Sequence, residues 1–270
     1  MTQSTVNPEI RYEAKEGAVA GIFALTSAES KRLMAKGVAA LPVVRQAFEK
    51  GRIIIANGTT TAFVAEELMD ISVPKYPYAA GYIGDGRLSS TPKTIRMTPY
   101  VLVDGKPVDV PAKKMIRQFE AGDVFIKSGN AIDSNGHVGI LMGDELGGTI
   151  GMALGPVTAR GAHLIMPVGL EKKIDSVIEA SRHCGISRLK YSIGMLVGLM
   201  PVVTGTVVTE IEALHILTGV KAFHVASGGI GGCEGAVTLV VEGEDEQVQR
   251  AFTLVESIKG EPPVMVEAGK

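Results

Sequence analysis

Residues 52–69, RIIIANGTTTAFVAEELM, hold the pattern that decides the fold. RIIIA is an unbroken apolar run of strand length behind Gly51, and NGTTT is a short polar loop around one glycine. Phe63, Val64 and Leu68 then recur on one side of a helix, with Glu66 and Glu67 beside them. A buried strand, a glycine-containing turn and an amphipathic helix make one unit of an α/β sheet.

Upstream, Thr26 or Ser27 caps a helix with Leu33, Met34, Gly37, Val38 and Leu41 at helical spacing, and Pro42 opens a second one reaching Lys50. Downstream, residues 71–110 are rich in Pro, Gly and Tyr, and they end in a hairpin that turns at Asp104-Gly105. A helix near 111–120, strands at 123–127 and 137–142, a helix at 149–159, a strand at 163–167 and a helix at 171–183 follow. This alternation predicts an α/β domain over residues 1–199: a Rossmann-like, mainly parallel sheet with helices on both faces. The rhythm then changes. A strand at 202–208, a helix at 210–217, strands at 221–226 and 236–241, a helix at 244–257 and a strand at 263–266 give the order β-α-β-β-α-β, which predicts a ferredoxin-like α+β unit over residues 200–270.

Composition narrows the function. With 46% hydrophobic and 21% charged residues the chain is no disordered polymer, and its 33 glycines follow no collagen period. A net charge of −2 without a basic block leaves no footprint for nucleic acid. Cys184 and Cys233 have neither knuckle nor redox spacing, so a reducing, cytoplasmic setting is expected. The polar start carries no apolar core of signal-peptide length, and the apolar stretch at 193–208 is shorter than the roughly 20 residues of a membrane span and contains Pro201. The apolar strands of the smaller unit predict a homo-oligomer.

Four loops carry chemical content. In the first, backbone N–H groups at Asn57, Gly58, Thr59, Thr60 and Thr61, with the threonine hydroxyls, suit a phosphate or carboxylate; the alternative is that Thr59 or Thr60 simply caps the helix. The loop has neither the lysine of a GxxxxGK[ST] phosphate loop nor the three glycines of a dinucleotide fingerprint. In the second, KSGNAIDSNGHVG at 127–139, Lys127 is placed to neutralise developing charge, Asp133 to move a proton, and Asn130 and His137 to orient substrate. Against this, Asp133, Asn135 and Gly136 suffice to make a turn. The third is GDELGGTIG at 143–151, where Gly147, Gly148 and Thr149 open a second helix-terminal anion site and Asp144 with Glu145 form an acid or magnesium pair, unless this is a surface turn with Thr149 as its cap. The fourth, SGGIGGCEG at 227–235, offers Cys233 or Glu234 as a nucleophile, although a tight connection between strands explains it more simply. No histidine pair has zinc spacing, and neither metal nor cofactor is expected.

IIIANGTTTAFVAEEL at 53–68 resembles the phosphate loop and following helix of ribose-5-phosphate isomerase, and FIKSGNAID at 125–133 resembles that family's acidic strand-end segment. GNAIDSNGH at 129–137 is similar in shape to a motif of isomerases acting on methylthioribose phosphate. The resemblance is to the superfamily of ribose-5-phosphate isomerase, glucosamine-6-phosphate deaminase and the coenzyme A transferases. It implies an isomerase-like enzyme that moves a proton alpha to a carbonyl in a small anionic metabolite, such as a phosphorylated sugar or sugar acid. Lys127 and Asn130 stand where that family has aspartates and Ala131 where it has a glutamate, so Asp133 is the one acid left to transfer a proton. Two alternatives stay open: a sensory protein that binds a small anion without chemistry, and an acyl or coenzyme A transferase using Glu234.

Overall fold

The computed structural model describes residues 17–266, so the polar start read at residues 1–16 lies outside the described residues. In chain order the elements are β1 (Val19–Leu25), α1 (Ser27–Ala40), α2 (Pro42–Lys50), β2 (Arg52–Ile55), α3 (Thr59–Met69), α4 (Lys75–Tyr78), β3 (Gly81–Gly84), β4 (Arg87–Ser90), β5 (Tyr100–Val103), β6 (Lys106–Pro107), α5 (Ala112–Met115), β7 (Val124–Ile126), β8 (Ala131–Ile132), β9 (Val138–Met142), α6 (Gly148–Arg160), β10 (His163–Pro167), α7 (Val177–His183), β11 (Gly198–Val202), β12 (Thr206–Val208), α8 (Glu210–Thr218), β13 (Lys221–Ser227), β14 (Val237–Gly243) and α9 (Asp245–Ile258). Two 3-10 turns, Ile116–Gln118 and Leu170–Lys172, lie between them.

β2 leads through Asn57 and Gly58 into α3, as the sequence predicts. It lies in a six-stranded sheet of order β12-β10-β7-β2-β5-β6, with β12, β10, β7 and β2 parallel and the last two strands antiparallel. Alternate residues of the central strands divide two cores. Ile53, Ile55, Val124, Ile126 and Ile165 pack with α1, α2, α3 and α8, while Ile54, Phe125, Leu164 and Met166 pack with α5 and α6. Burying each such side chain stabilises the fold by about 1.5–3 kcal/mol, and strands buried on both faces read as unbroken apolar runs. The fold is mixed α/β, with helices on both faces of the main sheet and smaller sheets beside it. The β5–β6 hairpin turns at Asp104 and Gly105, both with positive φ, as a tight two-residue turn requires.

Four expectations need correcting. β9 does not join the main sheet; it pairs antiparallel with β8 and β11. The run 171–183 is not one helix, because Leu170–Lys172 makes a 3-10 turn and α7 starts afresh at Val177 behind the Ser176 cap. Residues 202–208 hold the end of one strand and the whole of another, β12, which joins β10. The tail forms α8, β13, β14 and α9, but its first strand belongs to the main sheet and residues 263–266 form no strand. β1, which the sequence left unassigned, completes a three-stranded sheet of order β1-β14-β13. Phe23 of β1 meets Phe252 of α9 edge-to-face at 5.5 Å, and a Cβ on Gly21 would lie 2.3 Å from the same ring. That close seat selects the N-terminal strand as the partner of β14. One core cluster containing Leu33, Ile53, Val208 and Leu239 crosses the expected domain boundary at 199/200.

Candidate functional site

Parallel strands deliver their carboxyl ends to one edge of a sheet, and here four of them do so. Asn57 and Gly58 follow β2, Lys127 to Gly129 follow β7, Gly169 to Lys172 lie just beyond β10, and Thr209 with Glu210 follow β12. Residues distant in sequence therefore meet.

Lys127 is half-buried, and its Nζ donates to the carbonyls of Asn57 (3.3 Å) and Ser128 (3.4 Å). Lys172, carried by the 3-10 turn, donates from Nζ to the next carbonyl, that of Gly129, at 3.1 Å. Their recorded hydrogen-bond acceptors are all backbone oxygens, and neither forms an ion pair among the described residues. Burial, and then the charge of Lys172, lower the Lys127 amine to about 8. Burial and the charge of Lys31 lower Lys172 to about 8 as well, against the pull of Glu171 and Glu210. Lys31, on the first turns of α1, is paired: it donates to the Ser27 carbonyl at 3.0 Å, to the Ser27 hydroxyl, and to Glu171 Oε1 at 3.4 Å.

Glu210 opens α8 behind Thr209, whose capping box with Glu212 fixes the start of that helix. Its side chain is wholly buried, and Oε2 accepts from the Leu170 N–H at 2.9 Å. Oε1 has no hydrogen-bond partner among the described residues. The Ser30 hydroxyl is close enough to favour the charged form, yet makes no well-formed bond. Burial outweighs both groups and pushes the Glu210 carboxyl above its ordinary value. Gly169 gives it room, since a Cβ there would lie 3.2 Å from Oε1.

The predicted anion loop is partly consumed by the fold. Asn57 Nδ2 donates to the carbonyls of Tyr78 and Met97, the Gly58 N–H donates to Tyr78, and the Thr61 hydroxyl donates to Ala56 and Gly58. Thr59 is half-buried, and the buried Thr60 hydroxyl has no partner among the described residues. Gly58 supplies no side-chain cap, so the N–H groups of the first turn of α3 stay uncapped, next to the carbonyl that holds Lys127.

Asp133 lies in the turn between β8 and β9. Its Oδ1 accepts from the N–H groups of Asn135 and His137, and its Oδ2 from the Val177 N–H at 2.9 Å and beside His137 Nδ1 at 3.2 Å. Burial would raise this carboxyl, but the N–H groups of Val177, His137 and Asn135 hold it below the ordinary range. The side chain ties the turn to the start of α7. Asn130 accepts from the Leu141 N–H through Oδ1 and is otherwise exposed. Gly147 caps α6, and Gly148 and Thr149 begin it; the last two line a cleft of about 770 Å³ with Asp109, Lys113, Arg117 and Asp144, and none of Asn57, Lys127, Lys172 or Glu210 lines it. Asp144 is occupied by the N–H groups of Leu146 and Gly148. Glu234 is exposed, whereas Gly235 in the same loop lies against the centre, where a Cβ would be 2.5 Å from Glu171 Oε2. Both cysteines are free thiols, and no group of three or more His, Cys, Asp or Glu side chains suited to a metal occurs among the described residues. Nor is any helix among them long and apolar enough to cross a membrane.

Lys31, Glu171, Lys172 and Glu210 escaped sequence reasoning. Lys172 looked like the solvent face of a helix, and Glu210 like an ordinary first-turn acid. The one usable signal was Gly169 just beyond an apolar strand, the same punctuation that marks Gly58 and Gly129. No family model, curated protein or solved structure matches the chain.

Proposed function

We propose that the chain is an enzyme acting on a small anionic carbonyl compound, a phosphorylated sugar or sugar acid, by proton transfer alpha to the carbonyl. One observation carries this: two amines, each lowered to about 8 and neither in an ion pair among the described residues, lie one beside an uncapped helix N-terminus and the other beside a buried acid. The substrate anion sits at the first turn of α3, where Thr59, Thr60 and the backbone N–H groups receive it. Lys127, next to that turn, supplies positive charge to the carbonyl oxygen as the enolate develops. Lys172 in its neutral form takes the alpha proton and returns it to the neighbouring carbon. Glu210 is a positioning residue: wholly buried, it biases the charge of Lys172 without meeting substrate. Asp133, fully engaged with backbone donors, shapes the turn, so the proton-transfer role expected of it passes to the amine pair.

The four parallel strands fit the Rossmann-like core of the ribose-5-phosphate isomerase superfamily. We read α8-β13-β14-α9 with β1 as a ferredoxin-like unit lacking its last strand. The amine pair favours proton transfer over acyl transfer, for which the exposed Glu234 offers a carboxylate tied only to the Gly232 N–H. The test is a thermal-shift screen of phosphorylated sugars and sugar acids, followed by exchange of the alpha proton in deuterated solvent. A stabilising ligand whose exchange falls about 100-fold in Lys172→Met supports the proposal. Binding without exchange makes the protein a sensor, and absence of both overturns the proposal.

A further inference from the structure

Lysines that tie other elements of the fold together are answered by carboxylates. Lys75 bonds Glu66, Lys259 meets Glu29 at 2.9 Å, and Lys31 meets Glu171 at 3.4 Å. Lys127 is held differently. Its Nζ rests at 3.3 and 3.4 Å on two carbonyls, distances near the outer limit of a hydrogen bond, just beyond the carboxyl end of β7. Lys172 occupies the next carbonyl along, 3.1 Å from Gly129 O, and the uncapped start of α3 lies on the other side. An amine so placed has weak ties and a neighbouring cation to favour its neutral form. It also stands one residue from where an anion would anchor.

We infer that Lys127 is a nucleophile, its Nζ condensing with the carbonyl carbon of the bound substrate to form an imine. The inference rests on the anionic-carbonyl reading above and replaces a purely electrostatic role for Lys127 with a covalent one. The neutral amine adds to the carbonyl carbon, and the carbonyl π pair moves to oxygen, which takes a proton from the Lys172 ammonium. The added nitrogen gives one of its two protons to the now neutral Lys172, which passes it to the hydroxyl, and the lone pair so freed expels that oxygen as water, leaving a protonated carbon–nitrogen double bond and a neutral Lys172. The alpha C–H proton passes to neutral Lys172, and its electron pair moves into the iminium to give an enamine. Reprotonation at carbon and addition of water reverse the sequence and return the amine. No oxidant or reductant is consumed. The charged groups facing the pair are Lys31, Glu171 and Glu210, and Lys172 is what Lys127 meets most directly.

At pH 7 an amine lowered to about 8 holds roughly 300-fold more neutral form than an ordinary lysine. The full chain is incubated at pH 7 with glyceraldehyde 3-phosphate or glycolaldehyde and cyanoborohydride, which reduces an iminium to a stable secondary amine, and the labelled lysines are mapped by mass spectrometry. Labelling of Lys127 at least about 10-fold faster than of any other lysine is expected. Lys172→Met slows it several-fold, and so does Lys172→Arg, which keeps the neighbouring cation but cannot relay protons near pH 7. A merely structural lysine would not respond in that way. Labelling spread evenly over surface lysines, or unchanged in Lys172→Met, overturns the inference. Two further outcomes separate it from the reading beneath it. Alpha-proton exchange of glyceraldehyde 3-phosphate with Lys127 unlabelled overturns the imine and leaves the proton-transfer reading standing. Fast labelling of Lys127 by glycolaldehyde, with no advantage for the phosphorylated probe, supports the imine and counts against the anion site.

Discussion

Two clusters of charge flank α1, and they are solved in opposite ways. On one side Arg32 meets Glu66 at 2.7 Å, Glu67 at 2.9 Å and Glu261 at 2.8 Å, with Lys75 on Glu66, Lys36 on Glu67 at 3.2 Å, and the Phe63 ring 4.7 Å beneath the guanidinium. Three cations face three carboxylates. Burial would lower the Arg32 guanidinium, yet Glu261, Glu66 and Glu67 together raise it above its ordinary value. On the other side Lys31, Lys127 and Lys172 face Glu171 and a Glu210 whose burial favours its protonated form. Folding alone rewards the first arrangement and penalises the second. A charge left unanswered at the carboxyl edge of a parallel sheet is a cost that stability does not explain, and the proposed proton transfer would give it a use.

The comparison breaks most readily at Arg32. Replacing it with Met leaves Glu261 without a cation and Glu66 and Glu67 with one each, and costs about 3–5 kcal/mol in chemical denaturation. If stability is unchanged, the cluster is ornamental and the contrast fails. Next, Lys127→Met is expected to lower turnover about 100-fold while raising Tm by about 2–4 °C at pH 7. The sign follows from the direction of the shift. The folded-state value of about 8 lies below that of a free lysine, so the folded state is penalised when the amine is charged. That penalty is complete below pH 8 and fades as pH rises towards 10.5, so the advantage of Lys127→Met disappears over that window. A variant that loses both activity and stability at pH 7 contradicts the assignment.

Asp133→Asn is a smaller, structural effect. The amide sets a donor against the Val177 N–H, at a cost of about 1–3 kcal/mol. The wild-type advantage is present above the ordinary aspartate range and is lost as pH falls through the depressed folded-state value. Smallest is Glu210→Gln. The folded state keeps this proton after the unfolded chain has released it, so the stabilisation present in acid drains away as pH rises above about 4.5. Gln removes that loss, and a Tm gain of about 2 °C, present at neutral pH and absent in acid, is the expected result.

Legibility followed the range of the forces. RIIIANGTTT, FIK, HLIMP and the Asp104-Gly105 hairpin were readable because burial on both faces and turn chemistry act over a few residues. The break at Ser176 was not, since the spacing of Ile174, Val177 and Ile178 is helical and only Asp133, from another segment, ties down the Val177 N–H. β1 was missed because its worth lies in contacts with β14 and α9 at the far end of the chain. Lys127 stands out in the sequence by its place at a strand end. Lys172 and Glu210 do not, because their chemistry arises from one another and from Lys31, with α1, β10 and β12 coming together only in three dimensions.

The central claim is that Lys127 and Lys172 are a pair of cations that no carboxylate meets in an ion pair among the described residues. Site-resolved lysine titration, by NMR of reductively methylated protein or by the pH dependence of acylation at each lysine, tests it directly. Midpoints near 8 for both, with Lys127 moving upward in Lys172→Met and not in Lys172→Arg, are the predicted result. Midpoints near 10.5 for both, indistinguishable from the other lysines, would contradict it.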